Sequence, residues 1–223
     1  MITVYKVVEG LAEPHPLAVR EVARQLKSGA LALLPTETVY GVGVAVGAYE
    51  GRSEIPELTT GYGRIFTLKQ RELTQTVPWL VDGPAAFDVY GCDIDAGTRA
   101  LAEALWPGAL TLIVKAAPCV PAFMQASDGT VALRASASPV IQALVKACGS
   151  PLAVTSANTH GAPAPVSFRD VEPRILQGVD VAIDAGATPC HDASTIVSLA
   201  QGEPCIIRQG ALPAEAIRSV LNV

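Results

Sequence analysis

The sequence predicts a mixed α/β sheet with helices packed against it, and three observations carry that reading. Apolar strand-like runs and amphipathic helical patterns interleave without a strict strand, helix, strand order. Some runs lie close enough in sequence to pair as hairpins, whereas a parallel crossover needs a dozen or more residues. A chain of 223 residues that is 50% hydrophobic also holds enough apolar side chains for a full core. No internal repeat or low-complexity linker divides it, so residues 1–223 are expected to form a single domain.

The elements follow in order. Leu17, Val19, Val22, Ala23 and Leu26 recur at helical spacing within residues 17–28, and Gly29 is placed to stop that helix. The stretch "LALLPTETVYGVGVAV", residues 31–46, reads as strand, turn and strand, because two apolar runs flank Pro35, Thr36, Glu37, Thr38, Tyr40 and Gly41. Residues 47–64 are rich in Gly, Glu and Thr with no period, which predicts a loop. "IFTLKQR" (65–71) and "VPWLV" (77–81) read as short strands. "TRALAEALWPG" (98–108) is a helix closed by Pro107 and Gly108, and "ALTLIVKA" (109–116) and "TVALRAS" (130–136) are strands. "SPVIQALVKACG" (138–149) is a helix with Ser138 as cap and Pro139 at its first position. The strand "PLAVTSAN" (151–158) ends in polar residues. In "SFRDVEPRILQG" (167–178), Ser167 and Asp170 resemble a capping box, and Pro173 weakens the helix beyond it. Strands at 179–184, 194–199 and 204–208 precede a last helix, "PAEAIRSVLN" (213–222).

Bulk properties narrow the function. The formal net charge is −5 and the pI near 5.2, so the surface lacks the broad basic footprint of a nucleic-acid binder, and any anion site must be local. Five dispersed cysteines without a CxxC pair fit reduced core thiols better than zinc or a disulfide framework. The mean hydropathy of +0.36 comes from Ala and Val spread along the chain, and no run approaches the ~18 apolar residues of a membrane span. A soluble cytoplasmic protein, with no membrane association, is expected.

Lys69 and Arg71 stand two apart, so in an extended segment both cations project from one face. Ser156 and Asn158 share that spacing, as do Thr36 and Thr38. Each pair has a bland reading: a solvated basic pair, a cap or Asx turn, and turn chemistry. Arg134 and Arg208 each follow an apolar run, where a guanidinium needs an anion, either a structural carboxylate such as Asp184 or a ligand phosphate or carboxylate. Together these cations suggest a cationic pocket in an acidic protein. No GxxxxGK[ST] or GxGxxG is present. His15, His160 and His191 show neither metal-ligand nor triad spacing, so no protein metal site is expected; Trp106 reads as packing, and aromatics at 5% offer little for single strands.

These residues resemble the YrdC-domain proteins, which include the L-threonylcarbamoyladenylate synthases. The matching stretches are "LPTETVYGVG", Lys69-x-Arg71, "LWPGALTLIV", "TVALRAS", "TSANTHGAPAP", "DVAIDAG", "STIV" and "IIRQGALP", in family order from about Leu31 to Leu221. The resemblance implies a twisted, open sheet of parallel and antiparallel strands with a concave cationic face. It implies a nucleotidyltransferase that converts L-threonine, bicarbonate and ATP into threonylcarbamoyl-AMP and pyrophosphate, the first half of making the t6A base of tRNA. The family pattern places Lys69, Arg71, Ser156 and Asn158 in catalysis, Thr36, Arg134 and Ser194 on threonine, and Arg71, Thr130, Ser156 and Arg208 on ATP. The chemistry calls for two anions to meet, which positioned cations assist without a covalent enzyme intermediate. Magnesium bridging phosphates is expected from that chemistry. The chain also departs from the pattern. After Arg71 it reads "ELTQTVPWLV", with Gln75 and Leu80 where the family has a histidine thought to contact threonine, and the 47–64 loop is about a dozen residues longer than usual. Arg52, Glu54, Thr59, Thr60 and Arg64 are then the candidates for a replacement contact, with Gly61 and Gly63 letting the loop fold over the cleft. The alternative is a YrdC-like nucleotide- or double-stranded-RNA-binding protein with altered threonine specificity. Partner proteins of tRNA modification fit the first reading, and the additional C-terminal domain of longer relatives is not expected.

Overall fold

The structure is a computed structural model that describes residues 2–7, 14–199 and 203–222. In chain order it contains β1 (Thr3–Lys6), α1 (Pro16–Lys27), β2 (Ala32–Pro35), β3 (Tyr40–Ala45), α2 (Gly61–Lys69) and β4 (Trp79–Val81). Then come α3 (Phe87–Tyr90), β5 (Gly91–Cys92), α4 (Ala96–Leu105), β6 (Leu110–Ala116), β7 (Thr130–Ala135), α5 (Pro139–Cys148) and β8 (Leu152–Ser156). The chain closes with α6 (Pro173–Gln177), β9 (Val181–Asp184), β10 (Thr195–Ser198), β11 (Cys205–Arg208) and α7 (Ala214–Leu221).

All the strands join one open sheet in the order β1-β9-β2-β3-β8-β4-β7-β6-β10-β11, with β5 beside β6. The mixed character is as expected: β2 and β3 pair antiparallel across the polar turn, while β1 with β9, β4 with β7 and β6 with β10 run parallel. On one face α1 and α5 bury Val22, Leu26, Ile141 and Leu144 against Leu34, Leu80, Leu152 and Ile183. On the other, Ile65 and Phe66 of α2, Leu101 of α4 and Ile217 of α7 cover Val42, Val44, Leu112 and Leu133.

The sharpest departure from the sequence reading is at residues 65–71, which are not a strand. Gly61–Lys69 is helical because the Thr60 side chain accepts a hydrogen bond from Gly63 N at 3.2 Å and Tyr62, Ile65, Phe66 and Lys69 fall on one buried helical face. That period begins at Tyr62, inside the segment read as loop, so a window opened at Ile65 misses it. Gln70 ends the helix in the left-handed region at φ 51°. Smaller corrections follow the same logic of tertiary partners. Leu17 is 67% exposed, and Ala18 takes the buried position instead. The Ser138 hydroxyl caps nothing in α5 and donates to Pro35 O at 3.0 Å. Pro173 opens α6 at its first position, where a proline is favourable, and the Ser167 to Asp170 contact of 2.8 Å closes only a 3-10 turn. The five cysteines are unpaired, but only Cys148 is buried, while Cys119, Cys190 and Cys205 are exposed. Among the described residues, no helix is long and apolar enough to cross a membrane.

Candidate active-site cleft

By register, Gly41, Leu80, Arg134, Val154 and Ser156 share one face of the sheet, the face on which α1 and α5 pack. The tip of the β2–β3 turn, with Thr36, Thr38 and Val39, and the segment before β10, with Ala193 and Ser194, border this strip; Arg208 of β11 and Thr111 of β6 complete a narrow cleft. A larger cavity of about 960 Å³ lies elsewhere, beside α1 and α5, with Val19, Ala23, Ala143 and Ala147 in its wall. Arg20, Arg24, Lys27, Asp82, Gln142 and Lys146 also border that cavity, but Thr36, Arg134, Ser156, Ser194 and Arg208, the residues singled out in the sequence, meet in the narrow cleft.

Arg134 is 5% exposed and fully oriented: Nε donates to Gly108 O at 3.0 Å, Nη1 to Thr38 Oγ1 at 3.0 Å, and Nη2 to Glu37 Oε1. Ser136 Oγ donates to the other carboxylate oxygen of Glu37. Burial, the largest influence, pushes the Glu37 carboxyl up, but the Arg134 charge and the bonds from Ser136 and Arg134 outweigh it and hold it below its usual range. The anion that Arg134 needs is therefore Glu37 and not Asp184, whose Oδ1 accepts from Gly186 N.

Arg208 and Arg71 contrast with it. Arg208 Nε and Nη2 donate to Ser194 O at 3.1 and 2.7 Å, and Nη2 also reaches Ser194 Oγ at 3.2 Å. Ser194 Oγ lies 2.8 Å from Thr111 Oγ1. Arg71 lies over the Phe66 ring and donates to Gln75 O, Thr76 O and, at 3.4 Å, Thr155 Oγ1, while its buried Nε has no partner among the described residues. Both guanidiniums thus rest on neutral oxygens. Burial first, and for Arg208 the nearby Arg134 second, make their charged forms harder to hold.

Lys69 is 3% exposed at the end of α2. Its Nζ donates to Ser156 O at 2.5 Å, Asn158 O at 3.0 Å and Asn158 Oδ1 at 3.1 Å, with Ser156 Oγ at 3.4 Å. Burial, and secondarily the Arg71 charge, pull its pKa down to about 8 against the opposite pull of Glu172. Asn158 spends its amide on Thr159 O and Ala162 O, so it is bound into the turn after β8. The Thr36 hydroxyl is similarly engaged: it donates to Val39 O at 2.6 Å and accepts from the Thr38 and Val39 amides at 3.1 Å.

The cleft therefore brings together Thr36, Arg134, Ser156, Ser194 and Arg208. Lys69, Asn158 and Arg71 stand behind its wall, in contact with Ser156 or Thr155. Lys69 and Arg71 do not share a strand face, since one closes a helix and the other follows its cap. Thr130 is on the Arg134 face of β7 four residues away, ~13 Å at strand rise, and donates to Asp128 Oδ1 outside the cleft. The 47–64 segment does not fold over the cleft. It leaves from the far end of β3, and Arg52, Thr59, Thr60 and Arg64 line a separate cavity with Gly29, Tyr49 and Asp180. Gly61 and Gly63 serve close packing there, because an added Cβ would lie 2.2 Å from Gly29 O or 2.3 Å from Glu57 O. Sequence reasoning gave no role to Glu37, Thr111 or Thr155. For Glu37 the signal was present, since a carboxylate between two apolar strands needs a cation.

An open mixed sheet that brings Arg134 and Arg208 to one cleft places the chain among the mixed α/β-sheet proteins. The chain belongs to the Sua5/YciO/YrdC family: residues 24–210 match its family model, described as "Telomere recombination". It is 33% identical over 198 residues to a putative threonylcarbamoyl-AMP synthase of Mycobacterium tuberculosis, covering 89% of this chain and 86% of that one. It superposes with a TM-score of 0.86 and 29% identity on a crystal structure of Pyrococcus abyssi Sua5 complexed with L-threonine, over 98% of this chain and 60% of that longer one. Escherichia coli YciO shares the fold, with a TM-score of 0.83 at 20% identity over 97% of this chain and all of the other.

Proposed function

We propose that this chain is a threonylcarbamoyl-AMP synthase, a nucleotidyltransferase that acts on L-threonine, bicarbonate and ATP in the t6A modification of tRNA. The observation that carries the assignment of roles is the difference between the arginines. Arg134 is matched by Glu37, whereas Arg208 and Arg71 rest on neutral oxygens and keep a net charge for an anion. The matched arginine suits the single carboxylate of an amino acid, and the unmatched ones suit a polyphosphate. The threonine amine condenses with bicarbonate, losing water, to give a carbamate. A carbamate oxygen attacks the α-phosphorus of ATP, the bond to the β-phosphate oxygen breaks, and pyrophosphate leaves. Arg208 neutralises the approaching anions and the charge that develops on the phosphates in the cleft, and Arg71 adds its unmatched charge from behind the wall. Thr36, Ser194 and Arg134 hold threonine, Ser156 borders the nucleotide in the cleft, Thr130 meets the part of the nucleotide that reaches beyond it, and Lys69 and Asn158 fix the turn that presents Ser156.

Among the described residues no cluster of three His, Cys, Asp or Glu could hold a metal. Magnesium accordingly enters this reading as the counter-ion of the nucleotide, and no step depends on a protein-held ion. Cytoplasmic action and transfer of the product to tRNA-modification partners belong to the same proposal. Leu80 favours a second reading, nucleotide binding with altered amino-acid specificity, because it lines the cleft next to Arg134 and has no hydrogen-bond donor to offer. Double-stranded RNA binding belongs to that second reading, and it would weaken steeply with salt. The deciding experiment is formation of an AMP ester from ATP that requires both threonine and bicarbonate. Ester formation with threonine supports synthase activity, and ATP binding without any ester supports the second reading.

A further inference from the structure

We infer that Glu37 is a positioning residue for the amino-acid substrate, acting through Arg134; this rests on the reading that Arg134 holds threonine. Glu37 lies in the β2–β3 turn, only 6% exposed, and both of its carboxylate oxygens are used: one accepts from Arg134 Nη2, the other from Ser136 Oγ. Ser136 is itself completely buried, and its hydroxyl also accepts from Ser138 N at 3.2 Å. Ser138 in turn donates to Pro35 O, at the base of the same turn. Apart from the arginine, the carboxylate is thus held by Ser136, while Ser138 ties the turn that carries Glu37 to the same segment after β7.

A buried ion pair is a poor source of net stability, since desolvation offsets most of its attraction; what it supplies here is orientation. A guanidinium has five N–H groups. Glu37, Thr38 and Gly108 occupy one on each nitrogen, which leaves one on Nη1 and one on Nη2 while the planar group cannot rotate. Arg134 lines the cleft in that fixed pose. A singly charged carboxylate can take the remaining pair of N–H groups, and because Glu37 has already matched the charge, the site rewards correct geometry more than charge alone.

The test is a double-mutant cycle on the full chain, with Glu37→Gln, Arg134→Gln and the double variant, read as kcat/KM for threonine and KM for ATP. Glutamine keeps the shape of Glu37 but removes its charge. Glu37→Gln is expected to lower kcat/KM for threonine by about tenfold while KM for ATP moves by less than about twofold. In the Arg134→Gln background the same change should cost less than about twofold, because there is no guanidinium left to orient. Ser136→Ala, which loosens Glu37 without touching the ion pair, should give a smaller loss confined to threonine; threonine binding to this variant by calorimetry serves if Glu37→Gln does not fold. Equal losses in both backgrounds, or a KM for ATP that moves with that for threonine, would overturn the inference. If the wild-type protein neither binds threonine nor forms the ester, the parent reading fails and takes this one with it. If it does both and the cycle is additive, only the role of Glu37 falls.

Discussion

At the scale of single residues, the cleft separates cations that face a ligand from cations committed to the protein. Arg208 belongs to the first group, so Arg208→Ala should raise KM for ATP and slow the chemical step, a loss of about 2–4 kcal/mol of transition-state stabilisation. Its melting temperature should change far less, and steady-state kinetics with a thermal melt checks both. Lys69 belongs to the second group. Its folded pKa of about 8 is below the usual 10.5, so the folded protein gives up this proton first. The unfolded chain then binds more protons between those values, and stability from this group rises as pH increases from about 8 to 10.5. Denaturant melts of the wild type and of Lys69→Met across that range should show the gain in the wild type alone. The paired spacing of Lys69 with Arg71 and of Ser156 with Asn158 was visible in the chain. That Lys69 points at Ser156 and Asn158 was not, because 87 and 89 residues separate them.

Among the elements, α2 has the most leverage on the site because its last residue is Lys69. Thr60→Ala removes the hydroxyl that accepts from Gly63 N, and should cost about 1 kcal/mol of stability. Calorimetric melting checks this, with any loss of activity following the fraying of the helix. Strand β3 is constrained differently. A Cβ at Gly43 would lie 2.4 Å from Ala153 O, a backbone atom of the neighbouring strand that cannot swing aside. Gly43→Ala should therefore destabilise the protein by about 1–3 kcal/mol, measured by denaturant titration. Most strands and the helices α1, α4, α5 and α7 were legible because their apolar period stands between clear breakers. Residues 61–69 were misread because Gly61 and Gly63 look like loop residues in sequence; only their contacts with Gly29 and Glu57 show that they let a helix pack closely.

On the scale of the whole molecule, the long segment after β3 and the cleft are at opposite ends of α2, nine residues or ~13 Å apart. Excising residues 51–55 is expected to leave KM for threonine and ATP within about twofold of the wild type, since sites so separated act independently. A large rise in KM for threonine alone would show that the segment reaches the cleft after all. By itself the sequence determined the class of fold, the hairpin with its polar turn, and the residue types gathered for anion chemistry. These follow from local periodicity, turn chemistry and motif spacing, which act over a few residues. Tertiary structure alone decided that Glu37 and not Asp184 is the partner of Arg134, and that Arg71 and Arg208 stay without a carboxylate partner among the described residues. It also decided which of the paired polar groups line the cleft and which brace it from behind. Those outcomes depend on contacts between residues as much as 97 positions apart. Charge matching is a property of distance in space, and a linear pattern does not carry it.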